Sequence, residues 1–283
     1  MKRSVHSKGE TMDEGQATER NQLPTDTSLG KKTDTIPGAS PLPSVVVPKG
    51  TTVVLAFDVE RLGQSPTVYS TIEVGASVVG PYPLLTELGR YSYSEYRSEA
   101  EFAHHYVWEE RCRTEFWSKK EQEPILKAIE ADTSRVFSVE VSRANMILGL
   151  IQFLSSWLEK SKNEGFTLRV VTDNKISDPW TINALIEKYL PNVKTVLPYS
   201  PGKDSTYMKI FETGERIAGF LMGAFGPKYE DMTSGFEKTM REEYDWPTFA
   251  VQHDHRAAND ARHIATTYQC LLATARGEIG RKS

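Results

Sequence analysis

The stretch TTVVLAFDVER, residues 51–61, decides the fold of this chain. Its first seven residues are β-branched or apolar, without the polar alternation of a half-exposed strand, and this favours a strand buried in the centre of a sheet. Two acids, Asp58 and Glu60, follow directly. Acids at the end of a core strand are costly unless they are paired or bound to a metal, so the same stretch is also the first candidate for a functional site.

Strands and helices alternate in the sequence beyond this stretch. After an early run of strands, the alternation predicts an α/β domain. The segment 99–131 is charged and aromatic and predicts loop and helix. The patterns predict strands at 51–57, 71–79, 88–96, 166–172 and 194–198, and helices at 142–160, 179–189, 210–224, 234–244 and 259–276.

The chain has 283 residues, of which 39% are hydrophobic and 25% charged, as in a globular protein with a sizeable core. Residues 1–49 differ, because they are rich in Ser, Thr, Gly, Pro and charge and contain no aromatic residue. Such a segment cannot bury enough apolar surface to offset its ordering entropy, so we expect a disordered tail there. We expect residues 50–283 to form one catalytic domain.

Composition also limits the location and the partners. No apolar run approaches the roughly 18 residues of a membrane helix, and the N-terminus lacks the apolar stretch of a secretory signal. The two cysteines, Cys112 and Cys270, form neither a disulfide framework nor a zinc-like spacing. We therefore expect an intracellular protein, cytoplasmic or nuclear, with no membrane partner. The net charge of −4 argues against a protein that coats long duplexes of nucleic acid, since such proteins usually carry a basic surplus.

Four acids and a histidine form the candidate site. Asp58 and Glu60 are two residues apart, which places both side chains on one face of a strand. Asp178 precedes a proline and is typical of a helix N-cap. His255 lies just before the last predicted helix, and Asp260 falls one turn into it. Four carboxylates in one pocket would repel one another unless divalent cations neutralised them.

Neighbouring residues qualify this picture. Asp173 is a rival to Asp178 in the same stretch. His253 and His263 lie near His255 and raise the alternative of a histidine–carboxylate zinc site, which we disfavour because His253 and His255 would need a strand to converge and a third ligand is not evident. Glu73 is not expected to be a ligand, since we expect the second strand to lie beside the site. Around the last acid, small residues allow a helix to approach the sheet closely: Ala257, Ala258 and Ala261.

The motifs of this site resemble those of the DEDDh exonucleases. In chain order they are FDVE at 57–60, IEVGA at 72–76, an Asn174-x-x-x-Asp178 segment, and HRAANDA at 255–261. This family belongs to the RNase H-like superfamily and includes proofreading exonuclease subunits, RNase T and oligoribonuclease. The resemblance covers residues 51–276 with two insertions, at 87–142 and 210–244. The segment that ends at Asp178 departs from the family pattern, because Ser177 replaces the usual aromatic residue before the aspartate.

The resemblance implies an RNase H-like mixed five-stranded sheet flanked by helices, and a two-metal mechanism. Asp58, Glu60 and Asp260 would hold one Mg²⁺ or Mn²⁺ ion, with Asp58 bridging to a second ion that Asp178 holds through water. His255 would act as the general base. Three further side chains are expected to contact the terminal bases, with Phe57 and Trp180 stacking on them and Leu62 acting as an apolar wedge.

The expected activity is therefore metal-dependent 3′–5′ hydrolysis of single-stranded DNA or RNA ends, releasing nucleoside monophosphates. Three alternatives stay open. One is a proofreading or repair accessory, in which the tail or the insertions dock a polymerase or other protein. The second is a hydrolase of short oligoribonucleotides, which would form a dimer. The third is a catalytically silent module of the same fold that binds nucleic acid or protein.

Overall fold

The computed structural model describes residues 38, 46–65, 68–135, 138–172, 177–190, 234–249 and 253–282. Within these residues the fold is α/β, with a mixed sheet of four strands flanked by helices. The strands are β1 (Thr52–Arg61), β2 (Thr71–Val79), β3 (Glu87–Ser94) and β4 (Thr167–Val171). The candidate fifth strand at 194–198 and the candidate helix at 210–224 lie outside the described residues.

The sheet has the order β3-β2-β1-β4. Strand β1 pairs antiparallel with β2 and parallel with β4, and β2 pairs antiparallel with β3. The apolar run at the start of β1 is therefore central, as its sequence predicts. The strand also continues past Asp58 to Arg61, so both acids are part of β1.

Six helices are described. They are α1 (Glu110–Cys112), α2 (Glu123–Asp132), α3 (Val139–Glu164), α4 (Ser177–Tyr189), α5 (Ser234–Glu243) and α6 (Ala257–Ala275). A 3₁₀ segment spans Ala100–His105 and a π-helical segment spans Arg113–Trp117, so the predicted mixture of loop and helix in 99–131 is confirmed. None of the helices in these parts of the chain is both long and apolar enough to cross a lipid bilayer.

The core has a layer on each face of β1, and alternate residues of the strand belong to different layers. Val53, Leu55, Phe57 and Val59 join a cluster with the buried stripe of α3. The even-numbered residues Val54 and Ala56 pack instead with α6, through residues that include Ala261, Ala265 and Tyr268. Helices on both faces explain why β1 is apolar without alternation.

Helix α3 is longer than its predicted span, and its ends carry recognisable caps. The hydroxyl of Ser138 accepts a hydrogen bond from the amide of Val141, and Gly165 ends the helix in the left-handed region at φ 76°. The predicted apolar stripe is buried from Met146 to Trp157. This confirms the helical period read from the sequence.

Ordered packing begins before the predicted domain boundary at residue 50. Val47 is only 4% exposed and belongs to the α3-side core. The carbonyl of Gly38 accepts a hydrogen bond from the amide of Ser92 in β3 at 3.0 Å. Most of the expected tail, 1–49, lies outside the described residues.

Candidate metal centre

The pleat of β1 decides which way its acids point. Because Val54 and Ala56 face α6, Asp58 and Glu60 continue the same even-numbered series toward that helix. Helix α6 contributes Asp260 from its first turn. One carboxylate oxygen from each of these three acids lies within 4.8 Å of the others.

The three acids are removed from water to different degrees. Asp260 is 1% exposed, Glu60 is 9% exposed and Asp58 is half-buried. The arrangement therefore has a closed side under α6 and a more open side at Asp58. A cation could therefore enter the cluster from solvent at Asp58.

A glycine allows α6 to come this close to the sheet. Gly75 in β2 pairs with Asp58 across the strands. A Cβ atom at Gly75 would lie 2.1 Å from the backbone nitrogen of Ala258, so no side chain fits there. The small residues at the start of α6 were predicted to allow close approach, and Ala257 and Ala258 are fully covered by the contact.

The electrostatics of Glu60 show how unfavourable this cluster is without a cation. Burial is the largest cause that raises the pKa of Glu60 well above its ordinary value. Negative charge on three nearby acids raises that pKa further: Asp260, Glu73 and Asp178. The guanidinium of Arg61 opposes them. A divalent cation relieves both repulsion and buried charge, and a donor set of carboxylate oxygens suits Mg²⁺ or Mn²⁺, so these residues fit the expected ion.

Asp178 lies outside the three-carboxylate group among the described residues. It is 2% exposed; its Oδ2 accepts a hydrogen bond from the hydroxyl of Thr172 at 3.0 Å, and its Oδ1 lies 3.8 Å from the guanidinium of Arg61. Helix α4 begins at Ser177, so Asp178 occupies the first turn of the helix instead of the predicted cap position before it. The rival Asp173 lies outside the described residues.

His255 adopts an unusual backbone conformation beside the cluster. Its φ is 57°, in the left-handed region that few non-glycine residues occupy. The ring is half-buried and meets Phe116 edge to face, with ring centroids 4.9 Å apart. Burial, followed by the neighbouring His253, lowers the pKa of His255 below its ordinary value, against an opposing effect of Asp254. The imidazole is therefore favoured in its neutral form, which can accept a proton.

The expectation that His253 and His255 need a strand to converge was wrong. Donor atoms of His253, His255 and Asp260 all lie within 4.8 Å of one another, and Asp260 is the third donor that the sequence did not reveal. Neither histidine lies in a strand. The centroids of their rings are 4.6 Å apart.

An ion-pair network that the sequence did not predict lies beside the site. Glu73, fully buried in β2, pairs with Glu60 in the sheet register. Its carboxylate accepts hydrogen bonds from the guanidinium of Arg256 at 2.8 Å and from the amide of Ala257 at 2.8 Å. Arg256 also reaches Asp132 at 2.6 Å. Glu73 is thus engaged as an anchor for the start of α6, and the lone acid in the apolar run of β2 was the signal for it.

A pocket of about 360 Å³ adjoins Glu60. Its lining includes Glu60, Arg61, Glu109, Cys112 and Phe116. One wall of the pocket is therefore formed by residues between 109 and 116, outside the sheet.

Two of the three side chains expected to contact the terminal bases are not accessible to a ligand. Phe57 and Leu62 are fully buried in separate core clusters, so that expectation was wrong for both. Phe57 is odd-numbered in β1 and faces α3, away from the acids. Trp180 is 55% exposed and stays a candidate.

No protein-family model matches this chain, and no curated protein matches it significantly.

Proposed function

We propose that this protein is a metal-dependent 3′–5′ exonuclease that hydrolyses phosphodiester bonds at single-stranded DNA or RNA ends. The observation that carries the proposal is the convergence of Asp58, Glu60 and Asp260 within 4.8 Å, two of them nearly inaccessible to solvent. Three carboxylates so placed favour a divalent cation. The polarity and the single-stranded substrate come from the resemblance to DEDDh exonucleases in the motifs that carry these residues.

The fold part of the proposal is an RNase H-like domain with a fifth strand. It is supported by the mixed sheet, in which the acid-bearing β1 is central and pairs parallel with β4. Both cysteines are free thiols, which supports the expected reducing compartment, cytoplasm or nucleus.

Each residue of the site has its own proposed role. Asp58, Glu60 and Asp260 would hold Mg²⁺ or Mn²⁺, and Asp178 would help to hold a second ion, as the resemblance implies. Bound divalent ions supply charge stabilisation for the attacking and leaving oxygens. The neutral imidazole of His255 would take the proton of the attacking water. The pocket beside Glu60 would receive the terminal nucleotide.

A hydrolysis assay tests the proposal. Oligonucleotides of DNA and of RNA, labelled at the 5′ end, are incubated with the protein with and without Mg²⁺. We expect a ladder of products that shorten from the 3′ end, abolished by EDTA. Asp58→Asn should lower turnover by at least about 100-fold, because several kcal/mol of charge stabilisation is lost.

The control variant is Asp245→Asn, which changes an exposed aspartate away from the proposed ligands. It should retain wild-type turnover. The proposal is wrong if neither oligonucleotide is cut in Mg²⁺ or Mn²⁺, or if Asp58→Asn keeps full EDTA-sensitive activity.

A catalytically silent binding module is the second candidate. The ion pair between Asp178 and Arg61 favours this candidate. The positive charge of the guanidinium already neutralises the carboxylate that a second metal ion would need as a ligand. The same assay distinguishes the two functions. Binding of a labelled oligonucleotide without any hydrolysis in Mg²⁺ or Mn²⁺ would favour the silent module.

A further inference from the structure

His253, His255 and Asp260 form a second group of donors that overlaps the carboxylate cluster. One donor atom from each lies within 4.8 Å of the other two. The Nε2 of His253 is 3.2 Å from Oδ2 of Asp260. Two imidazoles and one carboxylate thus lie together at the start of α6.

The loop that carries these donors is fixed by hydrogen bonds. The amide of Asp254 donates to Oδ1 of Asp260 at 2.8 Å. The carboxylate of Asp254 in turn accepts from the amide of Arg256 at 3.1 Å and from the side chain of Asn259 at 2.8 Å. The donors are therefore held together by the protein, and binding would need little additional ordering.

The donor types differ from those of the neighbouring cluster. Imidazole nitrogens are preferred ligands of Zn²⁺ and related transition metals, whereas Mg²⁺ prefers oxygen. Three protein ligands with room for water are typical of an open zinc site. His253 is 46% exposed, which gives an ion a path from solvent.

We propose that His253, His255 and Asp260 bind a transition-metal ion such as Zn²⁺. Since Asp260 belongs to both donor groups, an ion on the histidines competes for a ligand with an ion on Asp58 and Glu60. It also occupies the imidazole of His255. If the proposed exonuclease function holds, on which this second part depends, Zn²⁺ inhibits the Mg²⁺-dependent reaction.

Binding is tested without nucleic acid. The full chain is freed of metal with a chelator, the chelator is removed, and Zn²⁺ is titrated by calorimetry, with the visible spectrum of added Co²⁺ as a second probe. We expect one site in the wild type. His253→Ala and Asp260→Asn should weaken it by at least about 10-fold, because the loss of a direct ligand exceeds the usual effect of an outer partner.

One variant serves as the control and should bind Zn²⁺ as the wild type does. His104→Ala removes an exposed histidine whose ring contacts that of another histidine, His105, as the ring of His253 contacts that of His255. Among the described residues, His104 belongs to no group of three donors. His253→Gln replaces His253→Ala if the alanine variant does not fold.

The inference is overturned if the wild type binds neither Zn²⁺ nor Co²⁺, or if His253→Ala and His255→Ala bind Zn²⁺ as tightly as the wild type. Inhibition is measured separately, by comparing each protein with its own activity in Mg²⁺ alone. Zn²⁺ should inhibit the wild type at concentrations at least about 10-fold lower than those needed for His253→Ala. Zn²⁺ binding without any nuclease activity would overturn only the proposed function.

Discussion

Glu60 occupies a position where its negative charge is unfavourable in the absence of a cation. It is buried, and three acids surround it. Glu60→Gln removes that charge, so the metal-free variant should melt at a higher temperature than the metal-free wild type. Mg²⁺ at 100 times its dissociation constant should stabilise the wild type by about 2.7 kcal/mol, and the variant by much less.

Thermal melting with and without Mg²⁺ measures both effects. Glu101→Gln, at an exposed glutamate, is the matched control and should respond to Mg²⁺ as the wild type does. An equal Mg²⁺ shift in Glu60→Gln would show that the carboxylate cluster does not bind the ion.

His255 combines a proposed catalytic role with a strained backbone, and two substitutions separate these properties. His255→Ala and His255→Gly should both reduce turnover about 10²–10⁴-fold, because each removes the proposed base. The glycine variant should be the more stable of the two by about 1 kcal/mol, since only glycine adopts φ 57° without steric cost. Initial rates and denaturant melts check the two expectations. If the alanine variant were the more stable, the left-handed conformation would not persist in solution.

At the scale of elements, the contact between α6 and β2 places Asp260 beside β1. Gly75→Ala puts a methyl group 2.1 Å from the backbone of Ala258, and backbone cannot rotate away as a side chain can. We expect a loss of about 1–3 kcal/mol in the free energy of unfolding and a weaker response to Mg²⁺, because α6 must move away from the sheet.

Gly280→Ala is the control for this substitution, because nothing lies within 4 Å of the Cβ that it would add. It should leave both stability and Mg²⁺ binding unchanged. Urea melts with and without Mg²⁺ compare the pair, and a neutral Gly75→Ala would mean that the helix is not seated on the glycine.

The elements that bury a continuous or periodic apolar pattern were predictable from the sequence. Strands β1 and β2 and helix α3 carry such patterns, and the structure confirms them. The same pattern placed Asp58 and Glu60 on one face. The alternation of side chains along a strand does not tell which face of the sheet carries the candidate site. Phe57 was therefore expected at the site, although it faces α3.

Features that depend on backbone turns or on tertiary pairing could not be predicted in this way. Neither the positive φ at His255 nor the contact between the rings of His253 and His255 is indicated by the sequence. The pairing of Glu73 with Arg256 joins residues 183 positions apart. This pair becomes evident only in the structure, from the register of β1 with β2 and the position of α6.

At the scale of the whole molecule, the contribution of the N-terminal residues to stability can be tested by truncation. Deleting residues 1–37 keeps both Gly38 and Val47, so stability and any hydrolysis should be unaffected. Deleting residues 1–49 removes the buried Val47 and should cost about 1.5–3 kcal/mol. Denaturant melts of the two proteins compare them directly, and equal stability would mean that Val47 does not pack in the core.

The two-sided packing of β1 has a consequence for how this protein tolerates change in length. Side chains along the strand alternate between the layer of α3 and the layer of α6. Insertion or loss of one residue before Asp58 would exchange the two sets, turning the carboxylates into the apolar layer of α3 and apolar groups toward the candidate site. A single substitution changes one layer or the candidate site, whereas a shift of one position would disrupt both layers and the candidate site at the same time.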